Sequence, residues 1–138
     1  MQSIGIILGV LLTFSVNART STAAYQDFYR SLKSGDEASA ELNAYYFLRN
    51  YPKQIKANEV AIELARIYQR QSRNEEAILW LKTLSKDTKL KNSEAAKLSF
   101  VLSELYTAIG NKSAAEIQKS LLRRNYANTA WGKKVLEK

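Results

Sequence analysis

Residues 58–84 read NEVAIELARIYQRQSRNEEAILWLKTL, and the spacing in this stretch decides the fold. Counted from Ala57, the apolar positions Val60, Ala61, Leu64, Ala65 and Tyr68 return every three or four residues, one stripe along a helix. A polar turn follows at 71–74. Asn74 can cap a second helix, with Glu75 and Glu76 in its first turn, where the helix dipole favours anions. The second stripe is Ala77, Ile78, Leu81 and Leu84. Leu64, Tyr68, Ala77 and Leu84 come back 38 residues on as Leu102, Tyr106, Ala115 and Leu122. The chain therefore repeats a helical hairpin.

The same logic extends outward. On the N-terminal side a helix from 19 to about 33 carries Ala24, Phe28 and Leu32 at successive fourth positions, with Tyr25 and Tyr29 alongside. Gly35 suits a left-handed helix ending and Asp36 can cap the next helix, expected over 37–50. That helix puts Glu41, Ala44, Tyr45 and Leu48 on one side and stops at Tyr51-Pro52, because proline pushes the residue before it out of the helical region. On the C-terminal side, 86–91 is a basic connection. A helix from Asn92 or Ser93 follows, with Ala95, Leu98, Leu102, Leu105, Tyr106 and Ile109 as its stripe, and Gly110 stops it. Ser113 and Glu116 have the spacing of a capping box for its partner, which runs to about Asn125. A short helix with Trp131 and Val135 closes the chain. No strand pattern occurs. The expected fold is all-α: an α-solenoid of about three hairpins plus a short C-terminal capping helix, over residues 19–138.

Residues 1–18, MQSIGIILGVLLTFSVNA, carry no charged side chain and are too short an apolar run to span a bilayer. Val16-Asn17-Ala18 ends it with the residue sizes a signal peptidase requires, so 1–18 reads as a cleaved signal peptide and the protein as periplasmic or secreted. A buried first helix or a retained anchor are the alternatives. No Cys follows the run, so a lipid-bearing cysteine is excluded.

The 138 residues contain neither His nor Cys. That removes disulfides, thiolate metal sites and the commonest general bases and nucleophiles. No catalytic residue, metal site or cofactor is expected: the five glycines are scattered, and no carboxylate is paired with a second titrating group in an apolar pocket. The net charge of +8 points to anionic partners without naming one.

Leu64-Ala65 with Tyr68 and Ala77, and Leu102-Ser103 with Tyr106 and Ala115, resemble the tetratricopeptide repeat signature. Phe28 stands where that signature has a small residue, and the period exceeds the usual length of about 34. Phe47-Leu48-Arg49-Asn50-Tyr51-Pro52, followed by Ala57, is similar to a pattern in bacterial envelope repeat proteins. Among these are the lipoprotein of the β-barrel assembly machinery and the periplasmic coordinator of cell division. Arg124-Asn125-Tyr126-Ala127 echoes it.

The resemblance implies a non-catalytic adaptor whose first helices line a concave groove for a partner polypeptide, acting in envelope assembly or maintenance. Carried over by position, the groove would be lined by Tyr25, Tyr29, Ile62, Arg66, Gln69, Arg70, Lys97, Phe100 and Glu104. Arg66 and Arg70, one turn apart, would grip a carboxylate, unless Arg66 merely pairs with Glu59 or Glu63. Leu64, Tyr68 and Tyr106 read as core, Trp80 as packing between hairpins, and Trp131 as closing the end. A competing reading is a basic module for an anionic envelope component, lipid head groups or cell-wall polymer, through Arg123, Arg124, Lys133 and Lys134. Lys82, Lys86, Lys89 and Lys91 would add to it. Nucleic acid becomes a candidate only if the chain is not exported.

Overall fold

The computed structural model describes residues 19–87 and 89–137. Among the described residues there are seven helices and no strand. α1 (Ser21–Ser34) and α2 (Glu37–Asn50) form one hairpin, α3 (Ala57–Arg70) and α4 (Asn74–Asp87) a second, and α5 (Asn92–Ala108) and α6 (Lys112–Asn125) a third. A short α7 (Ala130–Leu136) follows. The expected signal peptide, 1–18, lies outside the described residues. No described helix is long and apolar enough to cross a membrane.

All three hairpins turn through the same local bonds. At the end of α1, the Gly35 N–H donates to Leu32 C=O (3.2 Å) and the Asp36 N–H to Ser31 C=O (3.1 Å). After α3 the pair is Ser72 to Gln69 (3.0 Å) and Arg73 to Tyr68 (2.9 Å). After α5 it is Gly110 to Thr107 (3.1 Å) and Asn111 to Tyr106 (2.8 Å). This is the Schellman ending, which places its first donor residue in the left-handed region. Accordingly φ is +78° at Gly35, +60° at Ser72 and +82° at Gly110. The two glycines were expected to end helices; the left-handed serine was not.

That turn also decides where the next helix begins. Asp36 and Asn111 come directly after the left-handed residue, and their side chains accept the N–H of Ser39 and Ala114, both at 3.1 Å. The Ser113–Glu116 capping box is therefore not formed. Asn111 already holds the cap, Ser113 donates to its Oδ1 (3.2 Å), and Glu116 pairs with Arg123 instead.

Ala40, Ala77 and Ala115 each occupy the fourth position of a second helix and are 0%, 0% and 3% exposed. With nothing beyond Cβ, they let that helix close onto its partner. Leu64, Leu102 and Tyr68 are buried around them, and Tyr106 is half-buried. Each helix packs on the next in the chain, α5 also touches α3, and α7 touches both α5 and α6. On α2 the buried face is Ala40, Ala44 and Phe47 rather than the side of Tyr45 and Leu48. Phe47 is drawn inward against Tyr25 and Tyr51, at centroid distances of 6.2 and 5.7 Å.

Trp80 is half-buried against the main core cluster. Its indole N–H donates to the Ala61 carbonyl at 2.9 Å, within its own hairpin. Trp131 rests on Phe100 of the third hairpin at a centroid distance of 5.2 Å. Tyr51 and Tyr126 both cap a helix C-terminus, donating to Phe47 and Leu122 carbonyls, so the Asn-Tyr echo marks the same corner twice. Gly132 is required behind Trp131, because a Cβ there would lie 1.9 Å from the Tyr126 oxygen.

Candidate functional site

The first helices α1, α3 and α5 meet through a series of polar bridges. Both Tyr25 and Tyr29 on α1 donate their hydroxyls to Glu59 on α3, at 3.0 and 2.7 Å. Lys56 adds an ion pair to the same carboxylate at 3.3 Å. Burial pushes the Glu59 carboxyl up, but the hydroxyls of Tyr29 and Tyr25 and the Lys56 ammonium outweigh it and hold the group below its ordinary value. Burial, then the Glu59 charge, pushes both tyrosine hydroxyls up. Lys97 on α5 pairs with Glu63 on α3. Glu104 on α5 faces Arg66 (3.7 Å) and Gln69 (3.4 Å) on α3.

These bridges sort the expected groove residues. Tyr25, Tyr29, Arg66, Gln69, Lys97 and Glu104 do come together on adjoining first helices. Ile62 does not line an open groove, being 1% exposed within the main core; Phe100 is 8% exposed and packs beneath Trp131. Arg66 and Arg70 do not act as a pair either. Arg66 turns to Glu104 rather than to Glu59 or Glu63, which are already taken, while Arg70 crosses to Glu37 on α2 at 2.6 Å. One nitrogen of Arg66, Nη1, is shielded from solvent and makes no hydrogen bond among the described residues, where Glu104 is its ion-pair partner.

Charge is unevenly placed. Residues 80–138 hold twelve of the 21 basic side chains but five of the 13 acidic ones, so nearly all of the net +8 resides there. Arg124, Lys133 and Lys134 are exposed, with no ion pair among the described residues; Arg123 is held by Glu116 at 2.9 Å. Lys134 is placed over the Trp131 ring, 4.3 Å from its centroid, a cation–π contact. Arg123 and Arg124 also sit in the last turn of α6, where cations offset the helix dipole.

A pocket of about 360 Å³ opens where α5, α6 and α7 meet, its wall including Phe100, Ser103, Thr107, Lys119 and Val135. Sequence reasoning named Phe100 and Glu104 there but missed Ser103, Thr107, Glu116 and Lys119. The signal was present: Ile62, Ala65, Arg66, Gln69, Ile78 and Leu81, shifted by the repeat, land on this wall. Among the described residues no group of three or more acidic side chains is arranged to hold a metal. No protein-family model matches the chain, and no curated protein is significantly similar to it.

Proposed function

We propose that the chain is an exported, non-catalytic adaptor. Its three hairpins form a short tetratricopeptide-like solenoid that holds a partner polypeptide along the face of α1, α3 and α5. Bacterial envelope assembly or maintenance is the setting that the sequence resemblance suggests. The observation that carries this reading is the direct contact between first helices of successive hairpins, through Tyr25 and Tyr29 to Glu59 and through Lys97 and Glu104 to α3. Helices stacked in that order create one continuous surface. Its side chains are half-exposed, so a polypeptide can exchange its own backbone and charged groups for the present bridges. A photo-crosslinker at Gln69 should capture a partner in cells, while one at exposed Thr83 on α4 should not. Equal yields from both positions, or none from Gln69, would sink the reading.

A second reading rests on the charge distribution: a basic module for anionic lipid head groups or cell-wall polymer, through Arg123, Arg124, Lys133 and Lys134. Binding of that kind weakens steeply with salt, whereas the shape of a groove does not. Titration of anionic vesicles at low and physiological ionic strength separates the two.

A further inference from the structure

We propose that the outward sides of the second helices, α2, α4 and α6, dock on an anionic lipid bilayer. Each of these helices has 14 residues, and the sixth is an exposed aliphatic: Leu42, Leu79 and Ile117. They are 69%, 68% and 65% exposed. The thirteenth is a cation each time, Arg49, Lys86 and Arg124, and all three are exposed. The ninth position, between them, keeps no such character: it holds Tyr45, Lys82 and Ser120. A cation in the last turn offsets the helix dipole on any helix. Scattered exposed aliphatics are also ordinary, but the same site used on three helices is not scatter.

Helix geometry fixes where these pairs point. The fourth position, Ala40, Ala77 or Ala115, is buried against the first helix of the same hairpin. The sixth lies about 200° around the axis from the fourth, on the far side. The thirteenth lies about 20° from the sixth and roughly 10 Å further along. Aliphatic and cation therefore share one outward side, turned away from the bridged first helices. Every hairpin presents the pair in the same way.

Charge then selects the occupant. On the first helices the carboxylates are matched: Glu59 by Lys56, Glu63 by Lys97 and Glu104 by Arg66. On the second helices Glu37, Glu41, Glu76 and Glu116 each pair with an arginine. Arg49, Lys82, Lys86, Lys112, Lys119 and Arg124 have no ion pair among the described residues, and Glu75 has none either. The unmatched charge on α2, α4 and α6 is thus positive, and the occupant is anionic. Its form follows from the aliphatics. Side chains two-thirds exposed are protrusions, and a rigid partner helix would need holes to receive them. A lipid surface yields around them instead, while Lys and Arg stems lie along the apolar boundary and their charged heads reach the phosphates. A bilayer also offers the same boundary to every hairpin, which suits a motif repeated three times.

This surface is separate from the α1–α3–α5 face and shares only Arg124 with the basic module, so each can fail alone; a failed crosslink from Gln69 leaves it standing. The full chain should cosediment with phosphatidylglycerol vesicles and scarcely with phosphatidylcholine ones. Residues 1–18 are the same in every variant, so differences between variants report the helices. Leu42→Ser with Leu79→Ser and Ile117→Ser should weaken binding about tenfold or more, and so should Arg49→Glu with Lys86→Glu and Arg124→Glu. All six sites are exposed, and circular dichroism checks that the helices persist. Undiminished binding by the serine variant would overturn the proposal. So would loss of binding in Arg123→Glu with Lys133→Glu and Lys134→Glu while the serine variant still binds, which favours the basic module. The chain has no Cys, so a polarity-sensitive dye can be placed singly. On Leu79→Cys it should shift to the blue with phosphatidylglycerol vesicles, and on Gln69→Cys it should not; equal shifts, or none at Leu79→Cys, would overturn the docking side. A dimer that the serine variant dissolves would make the occupant a second copy. A photo-crosslinker in place of Leu79 that labels protein and not lipid would make it a partner protein. Either result overturns the proposal.

Discussion

Ser72→Gly should stabilise the protein, and the size of the effect can be worked from the turn geometry. Ser72 occupies at φ +60° the position that Gly35 and Gly110 occupy at +78° and +82°. A Cβ in the left-handed region costs about 1–2 kcal/mol. The Ser72 side chain is exposed and makes no hydrogen bond among the described residues, so removing it loses nothing. Glycine in turn loosens the unfolded chain, which costs about 0.4–1 kcal/mol. The net gain is about 0.5–1 kcal/mol, a rise in Tm of roughly 2–6 °C for a chain of this size. The reverse change is the control. A Cβ at Gly110 or Gly35 would meet no atom within 4 Å, so Gly110→Ala should cost about 1 kcal/mol through φ alone. Urea unfolding measures both, as a shift in midpoint at constant slope. If Ser72→Gly lowers stability while Gly110→Ala is harmless, the repeated Schellman turn does not organise the hairpins and the reasoning fails.

Three further outcomes are expected. Ala77→Leu forces extra atoms between α3 and α4 at a fully buried site and should cost about 1–3 kcal/mol in urea unfolding. Tyr29→Phe removes a donor to Glu59, whose carboxyl lies below its ordinary 4.5, so that contribution is present above this value and is lost as pH falls through the lowered one. The substitution should therefore cost about 1 kcal/mol at neutral pH and less once the pH falls below the lowered value, as denaturation followed across the acid range would report. Trp131→Ala should cost roughly 2 kcal/mol at its half-buried position and strip amide-exchange protection from α7 while α1–α4 keep theirs.

How much of this was legible beforehand differs from residue to residue. The span of α2 could be read as 37–50 because Asp36 and Tyr51-Pro52 act on their immediate neighbours. Helix type followed for the same reason, since backbone bonds reach only four residues along the chain. Ala40, Ala77 and Ala115 were legible as contact points through their matching place in each hairpin. By contrast, the capping box at Ser113 was misplaced because the left-handed residue at Gly110 had already set the helix start at the following asparagine.

By itself, then, the sequence determined the helices, their turns and the period at which hairpins recur, all products of short-range bonding and stripe spacing. Only the tertiary structure decided which side chains of a first helix are reachable. Ile62 and Arg66 are neighbours on α3, yet one is buried and the other bridges to Glu104. The difference arises from a helix that begins some thirty residues later and covers part of their surface. Exposure is set by what packs on top.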